Sequence, residues 1–301
     1  MSISERHHFL PMFYLKRFTN DDGRFYIYDV NKKSLRASGQ LFYPSQQFYK
    51  YKSNTVSFDT IESDFIEEAY GDIDSKVSAI LHKVHSVEST LTQHEITLLQ
   101  YFVNVLYWRN PVNEDKIKAK LLNANSLGEF GMKLMKKDTV QKASVKEEQI
   151  LLERMKADTD TFKLLKVHMP AQTYSEIFEK EIPDYATIID FQYDTHKLIS
   201  DNPIIYRNPE MGSLHIDEFI FPLSPKKWLF RHKVPKIITH TAMKFMIDLM
   251  GLIQAKEYVA TTNKEYPMIL QDYYDKHFSS INEVRERAFR FVIDATQIKT
   301  A

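Results

Sequence analysis

The feature that most constrains this chain is the period of its apolar residues, which changes twice and never alternates strand by helix. Ile61, Phe65, Ala69, Ile73, Val77, Ile80, Leu81 and Val84 recur at helical spacing. Helical stripes continue through Leu121, Leu127, Leu134, Ile150, Met155, Leu164 and Ile177, punctuated by Pro170 and Pro183, with no convincing strand in 112–182. After Asp184 the period falls to two. The segments 186–193, 198–199 with 204–206, 214–221 and 228–232 are short and bounded by Asn, Pro, Gly or Ser. Helical spacing returns from Thr239 through Met243, Met246, Leu249, Met250 and Ile253, where methionine reads as core filler, and again over 282–293. Strands followed by helices, then strands and helices again, predict an α+β protein, predominantly helical, rather than a doubly wound parallel sheet. The expected sheet is small, antiparallel or mixed, and joins N-terminal strands to the later β meander. The expected organisation is a single domain over 1–301 with a helical lobe at 59–182.

Local signals sharpen the outline. Glu5 to Phe18 reads as a short extended lead-in and one helix, with Pro11 at a first helical position. Asn20 to Gly23 is a turn, Arg24 to Val30 (RFYIYDV) a strand, and Asn31 to Lys33 a turn into a hairpin with Ser34 to Ala37. Capping boxes at Asp59–Glu62 and Thr92–Glu95 each open a helix. Gly71 is placed to bend or split the first, and Asn110-Pro111 ends the second.

Composition removes several classes. The chain has no cysteine, which excludes disulfides, thiolate metal sites and a cysteine nucleophile, and fits a reducing compartment. Acidic and basic residues balance at 40 each, so global charge gives no reason to expect nucleic acid or a membrane. Seven glycines in 301 residues form neither a Walker loop nor a dinucleotide fingerprint. No apolar leader opens the sequence, and the most apolar window, Phe245 to Ile253, is interrupted by Asp248 and too short to span a bilayer. A cytoplasmic protein with no membrane partner is the expectation. Charge is uneven locally: eight lysines (116, 118, 120, 133, 136, 137, 142 and 146) stand against Glu129 and Asp138 alone. The region Lys116–Lys146 is thus a candidate nucleic-acid contact. The plainer reading is a solvated helical face, since no aromatics interleave.

Four residues form the candidate catalytic set: His7, His8, Asp201 and Arg109. One imidazole can serve as a metal ligand or general base while the other is a structural hydrogen bonder. The alternative is that both tie the N-terminal arm to the sheet. Asp201, in Ser200-Asp201-Asn202-Pro203, can fix a histidine tautomer, or it is ordinary turn chemistry. Arg109 can clamp a phosphate or carboxylate, or simply complement a helix C-terminus. Glu62, Glu67 and Glu68 offer carboxylates to a metal, or form a solvated helix face. Tyr14, Lys16, Arg17, Ser200 and Asn202 complete a candidate binding set. His followed closely by Pro is also how a ββα-metal nuclease site begins. That site needs a hairpin after the first His, whereas an aromatic helix follows here.

The run His7-His8-Phe9-Leu10-Pro11-Met12-Phe13-Tyr14-Leu15-Lys16-Arg17-Phe18 resembles the opening of a prokaryotic family known as domain of unknown function 4238. Further matches follow in order: RFYIYDV, Phe48-Tyr49, the acidic helix from Ile61-Glu62 to Glu67-Glu68, and Trp108-Arg109-Asn110-Pro111. They continue at Leu198 to Pro203, at Phe221-Pro222-Leu223-Ser224-Pro225, and in the helix from Asn282 past Ala288. The resemblance marks positions and implies no activity, cofactor or metal. It suggests bacteria and their mobile elements, hence a role in phage or plasmid conflict. Two readings stand: a hydrolase or nuclease-like effector, and a non-catalytic sensor, inhibitor or scaffold that recognises a protein or nucleic acid.

Overall fold

In a computed structural model of the chain, the residues described are 5–58, 61–85, 91–130, 132–136, 141–171, 186–191, 196–209, 218–232 and 241–297. The N-terminal arm is extended and then helical, as its sequence implies. β1 (Arg6–His8) leads through Pro11, the cap of α1 (Met12–Leu15), into a 3-10 turn over Lys16–Phe18. β2 (Phe25–Asp29) follows, hairpinned to β3 (Ser34–Leu35) and also paired with β4 (Leu41–Phe42). β1 does not join that sheet. It pairs antiparallel with β5 (Tyr49–Tyr51), His7 opposite Lys50 and His8 opposite Tyr49.

Two long helices carry the middle of the chain. α2 (Phe65–His85) starts later than the Asp59 capping box predicts, because β6 (Val56–Phe58) and β7 (Ile61–Ser63) form a hairpin there. Val56 in that hairpin is fully buried, and its burial outweighs the local helical signal. Gly71 does not split α2, which is continuous through it. α3 (Gln93–Arg109) opens on the expected box: the Thr92 hydroxyl accepts from the Glu95 N–H, and Glu95 accepts from the Thr92 N–H at 2.8 Å. It ends at Asn110, before Pro111. Four shorter helices follow: α4 (Glu114–Asn123), α5 (Val145–Ala157), α6 (Thr159–Lys163) and a helix, α7, over 165–171. Pro170 therefore lies inside helix rather than ending one. Ile177 and Pro183 fall outside the described residues.

The strand period is borne out after 186, with one correction. β8 (Ala186–Asp190), β10 (Ile205–Tyr206), β11 (Phe219–Pro222) and β12 (Lys227–Arg231) form an antiparallel sheet in the order β10-β11-β12-β8. β9 (Leu198–Ser200) leaves this meander for the N-terminal sheet, where β13 (Tyr258–Thr261) lies between it and β2. In place of the single sheet expected from the sequence, the described residues form two larger sheets and two two-stranded ribbons, β1–β5 and β6–β7; the N-terminal sheet takes only β9 of the meander, through β13. β13 was not marked in the sequence, nor was α9 (Tyr266–His277). Its buried residues are only Tyr266, Pro267 and Leu270, too few to print a helical period. α8 (Thr241–Ile253) and α10 (Ile281–Gln297) sit where expected, and Met243, Met246 and Met250 are core as read. The protein is α+β and predominantly helical.

One apolar cluster joins distant parts of the chain: Leu10, Tyr14 and Phe18 of the arm, Leu81 of α2, Phe102 of α3, and Phe221 of β11. Tyr14 is its pivot. Its ring stacks on Phe221 at 5.4 Å and its hydroxyl donates to the Pro222 carbonyl at 2.7 Å. Burying such a ring is worth roughly 1.5–3 kcal/mol, and the hydroxyl must find a partner to enter the core at all. The arm that carries both histidines is thus held by Tyr14 together with Leu10, Leu15 and Phe18 and by the β1–β5 pairing. Among the described residues, no helix is long and apolar enough to cross a membrane.

Candidate functional site

The arm, hairpin β6–β7, α2 and the last turn of α3 meet around a chain of polar side chains. His7 is fully buried. Its Nδ1 accepts the backbone N–H of Asn54 at 2.9 Å. That donor can only donate, so Nδ1 carries the lone pair and the neutral ring bears its proton on Nε2. Nε2 lies 3.8 Å from Asp64 Oδ1, beyond a hydrogen bond. The same Asp64 oxygen accepts from the Thr55 hydroxyl at 2.9 Å. Asn54 continues the chain, its amide donating to Glu67 Oε1, and Glu67 Oε2 lies 4.0 Å from Arg109 Nη2.

Arg109 is the hub. Its side chain is 4% exposed, Nη1 donates to Asp74 Oδ2 at 3.0 Å, and its guanidinium lies 4.7 Å over the Tyr70 ring. It is committed to two carboxylates and a ring rather than free to clamp a substrate phosphate. Burial pushes the Asp74 carboxyl above its ordinary value, and Arg109 pulls against that shift. Burial likewise raises the Tyr70 phenol.

His8 differs from His7. It is half-buried, in ring contact with Tyr49 at 5.6 Å, and its Nε2 is buried without a protein partner. Burial first, and then the positive charge of Arg109, lower its pKa; hydrogen bonding to the Ser45 and Pro44 backbone and the charge of Glu67 oppose them. The net effect disfavours the imidazolium. His7 Nε2, Asn54 Oδ1, Asp74 Oδ1 and Arg109 Nε are also buried without hydrogen-bond partners. Such a concentration in and beside one network is unusual, because buried polar atoms are nearly always satisfied.

Asp64, Glu67 and Asp74 are 17–23% exposed, so the network is reachable from their side. Glu67, Gly71 and Asp74 fall on one stripe of α2, and Asp64, just before its first residue, continues the same spacing. A Cβ at Gly71 would meet nothing within 4 Å, so open space lies between Glu67 and Asp74. Among the described residues, no three His, Asp or Glu side chains converge as a metal site. Glu62 stands apart, in an exposed ion pair with Lys52 at 3.0 Å.

Asp201 occupies a different position from the one a histidine dyad requires. Its carboxylate accepts the backbone N–H groups of Lys256 at 2.9 Å, Glu257 at 2.7 Å and Tyr258 at 2.9 Å. Among the described residues no bond joins it to either imidazole. Burial pushes its carboxyl up despite those three donors, which favour the charged form. Its carbonyl accepts from Asn110 Nδ2 at 2.6 Å, so the Trp-Arg-Asn-Pro and Ser-Asp-Asn-Pro segments meet. The structure thus brings His7, His8 and Arg109 together and sets Asp201 behind Asn110. Of the binding set, Tyr14 is wholly buried and Ser200 nearly so. Ser200 Oγ accepts from the Asn202 N–H at 3.3 Å, and Asn202 exchanges bonds with Gln254. Lys16 is exposed and Arg17 half-buried on the arm.

The lysines of 116–146 that are described are all exposed, two of them over aromatic rings: Lys118 over Phe162 and Lys120 over Phe130. Lys137 and Asp138 fall outside the described residues. Asn54, Asp64, Tyr70 and Asp74 were missed in the sequence. The stripe 64–67–71–74 was the signal available for the carboxylates; Asn54 offered none, because its role depends on a backbone contact 47 residues away.

Residues 6–296 match the model of a family described as "Protein of unknown function (DUF4238)". No curated protein and no solved structure matches the chain.

Proposed function

The chain belongs to DUF4238, a family of proteins of unknown function, and from that premise we propose that it is a hydrolase of nuclease type in which His8 acts as general base. The carrying observation is an imidazole, His8, whose Nε2 is buried without a protein partner, within reach of the charge of Arg109, a guanidinium that is itself buried and ion-paired with Asp74. A neutral imidazole is the form that can accept a proton from water. The Ser45 and Pro44 backbone hydrogen-bonds the ring, and Nε2, which has no protein partner, is the nitrogen we assign the lone pair. It takes a proton from water as the water oxygen bonds to the electrophilic phosphorus or carbonyl centre. The imidazolium then returns that proton to the departing oxygen. Arg109 and its carboxylates position and tune the ring, and His7 secures the strand that carries it. Buried networks of this cost are frequent at active sites, because packing alone would favour apolar residues. The resemblance to families of bacteria and mobile elements supports phage or plasmid conflict as the setting.

The test is turnover by the full-length protein on single-stranded and double-stranded oligonucleotides, wild type against His8→Gln. Loss of at least 100-fold, of the order general-base removal causes, supports the reading. Equal turnover, or phage restriction in vivo unchanged by His8→Gln in a folded protein, removes it. The non-catalytic reading rests on the exposed lysines of 116–146. Nucleic-acid binding that weakens steeply with salt and fails on charge reversal there would favour it.

A further inference from the structure

Beside the polar cluster lies a cavity of about 410 Å³, within the range of small-molecule sites. Phe9, next to His8, and Asn110, next to Arg109, both line it. Tyr49 lines it as well and touches the His8 ring, so the cavity borders the face of the β1–β5 ribbon that His8 shares.

The chemistry of its wall is specific. Arg36, Lys50 and Lys256 contribute three cations, and Tyr49, Tyr51 and Tyr258 three phenol rings. Among the described residues only Lys50 has a carboxylate near it, Glu114 at 3.8 Å. Arg36 spends one donor on Gln47 Oε1 at 3.1 Å, and its guanidinium carbon lies 5.3 Å from the centre of the Tyr258 ring. Of the two acids at the wall, Asp201 has turned its carboxylate onto three backbone N–H groups, leaving Glu257. Tyr51 is 62% exposed, its ring held edge-on against Tyr49 at 5.5 Å. Phenol rings held in place beside underused cations suit a ligand with one planar face and one anionic group.

We propose that this cavity binds a nucleotide unit, its phosphate held by Arg36, Lys50 and Lys256 and its base stacked on Tyr51. The inference deepens the hydrolase reading and rests on it for what happens to the ligand; binding itself does not depend on His8. A free mononucleotide and a unit of a single strand present the same chemistry, and the experiment separates them.

Isothermal titration calorimetry of the full-length protein is run with adenosine monophosphate and with a short single-stranded oligothymidylate, at low and high salt. Saturable binding that weakens with salt is expected. Tyr51→Ala should weaken it about fivefold or more, the effect of losing one base–aromatic stack, and Lys256→Glu should weaken it at least tenfold at low salt. Both positions are exposed, so neither change threatens the fold, and circular dichroism checks this. Binding of the mononucleotide assigns a free nucleotide, and binding of the oligonucleotide alone assigns a strand. No binding of either probe, or binding that both variants leave untouched, overturns the proposal. His8→Gln distinguishes the two readings: binding retained with turnover lost supports both. No nucleotide binding with turnover still dependent on His8 removes the cavity and leaves the base.

Discussion

The Nδ1 of His7 accepts the backbone N–H of Asn54 at 2.9 Å. This bond divides two adjacent histidines by role, since it makes one ring an acceptor for the fold while the Nε2 of its neighbour has no protein partner. His7→Ala strands a buried N–H, which costs roughly 1–3 kcal/mol beyond the lost packing. His8→Ala, at a half-buried position, should cost less than about 1 kcal/mol. Urea denaturation of both variants measures the difference, and equal destabilisation would contradict the division.

Arg109 and Asp74 make the tightest ion pair of the network, at 3.0 Å, with side chains 4% and 19% exposed. Removing one partner of such a pair leaves a charge without compensation. Arg109→Leu should therefore lose about 3–5 kcal/mol. Arg109→Leu with Asp74→Leu should be more stable than Arg109→Leu alone, because the stranded carboxylate goes too. A double mutant no better than the single would mean the cost is packing against Tyr70, not charge.

The lowered pKa of His8 makes stability depend on pH in a definite direction. In the unfolded chain the ring titrates near the ordinary value of about 6.5; in the folded protein burial and Arg109 hold it lower, against Glu67 and the Ser45–Pro44 backbone. Between those two values the unfolded state binds more protons, so stability falls as pH falls. The loss begins as pH drops through about 6.5 and is complete below the folded pKa. Wild type and His8→Gln should run parallel above about pH 7 and converge or cross as pH drops below 6.5, by denaturation midpoints. Curves that stay parallel throughout would show that His8 has no shifted pKa.

Gly71 sits inside a continuous helix with open space above it and no positive φ. Gly71→Ala should therefore stabilise the protein by about 0.5–1 kcal/mol, as expected for an exposed helix interior. If the space between Glu67 and Asp74 admits substrate, the same variant should lower turnover while it raises the melting temperature. Higher stability with unchanged turnover would place the approach to His8 elsewhere.

What the sequence made legible was local. Thr92 and Glu95 are three residues apart, so their mutual capping could be read directly, and Asn110-Pro111 carries its own stop signal. β13 could not be read, because four residues (Tyr258–Thr261) between a helix and a turn hold too little pattern. The sheet was read as one because nothing in Leu198–Ser200 says that it pairs with β13 instead of Ile205–Tyr206. The site shows the same limit. The histidines and Arg109 stood out by type; His7 and Arg109 share one network through Asn54 and Glu67, while His8 feels Arg109 only through its charge. Asp201 looked like a loop carboxylate, yet its acceptors serve N–H groups 55–57 residues further on, which no local motif encodes. His7 and His8 are indistinguishable as letters and differ only through Asn54 and Arg109.

The measurement closest to the chemistry is an NMR titration of the histidine side chains in the full-length protein, with His8 assigned by comparison with His8→Gln. His8 is expected to titrate below the ordinary value of about 6.5 and, while neutral, to carry its proton on Nδ1 and leave Nε2 bare. A His8 that titrates at or above that value, or that holds its neutral proton on Nε2, would contradict its role as the base.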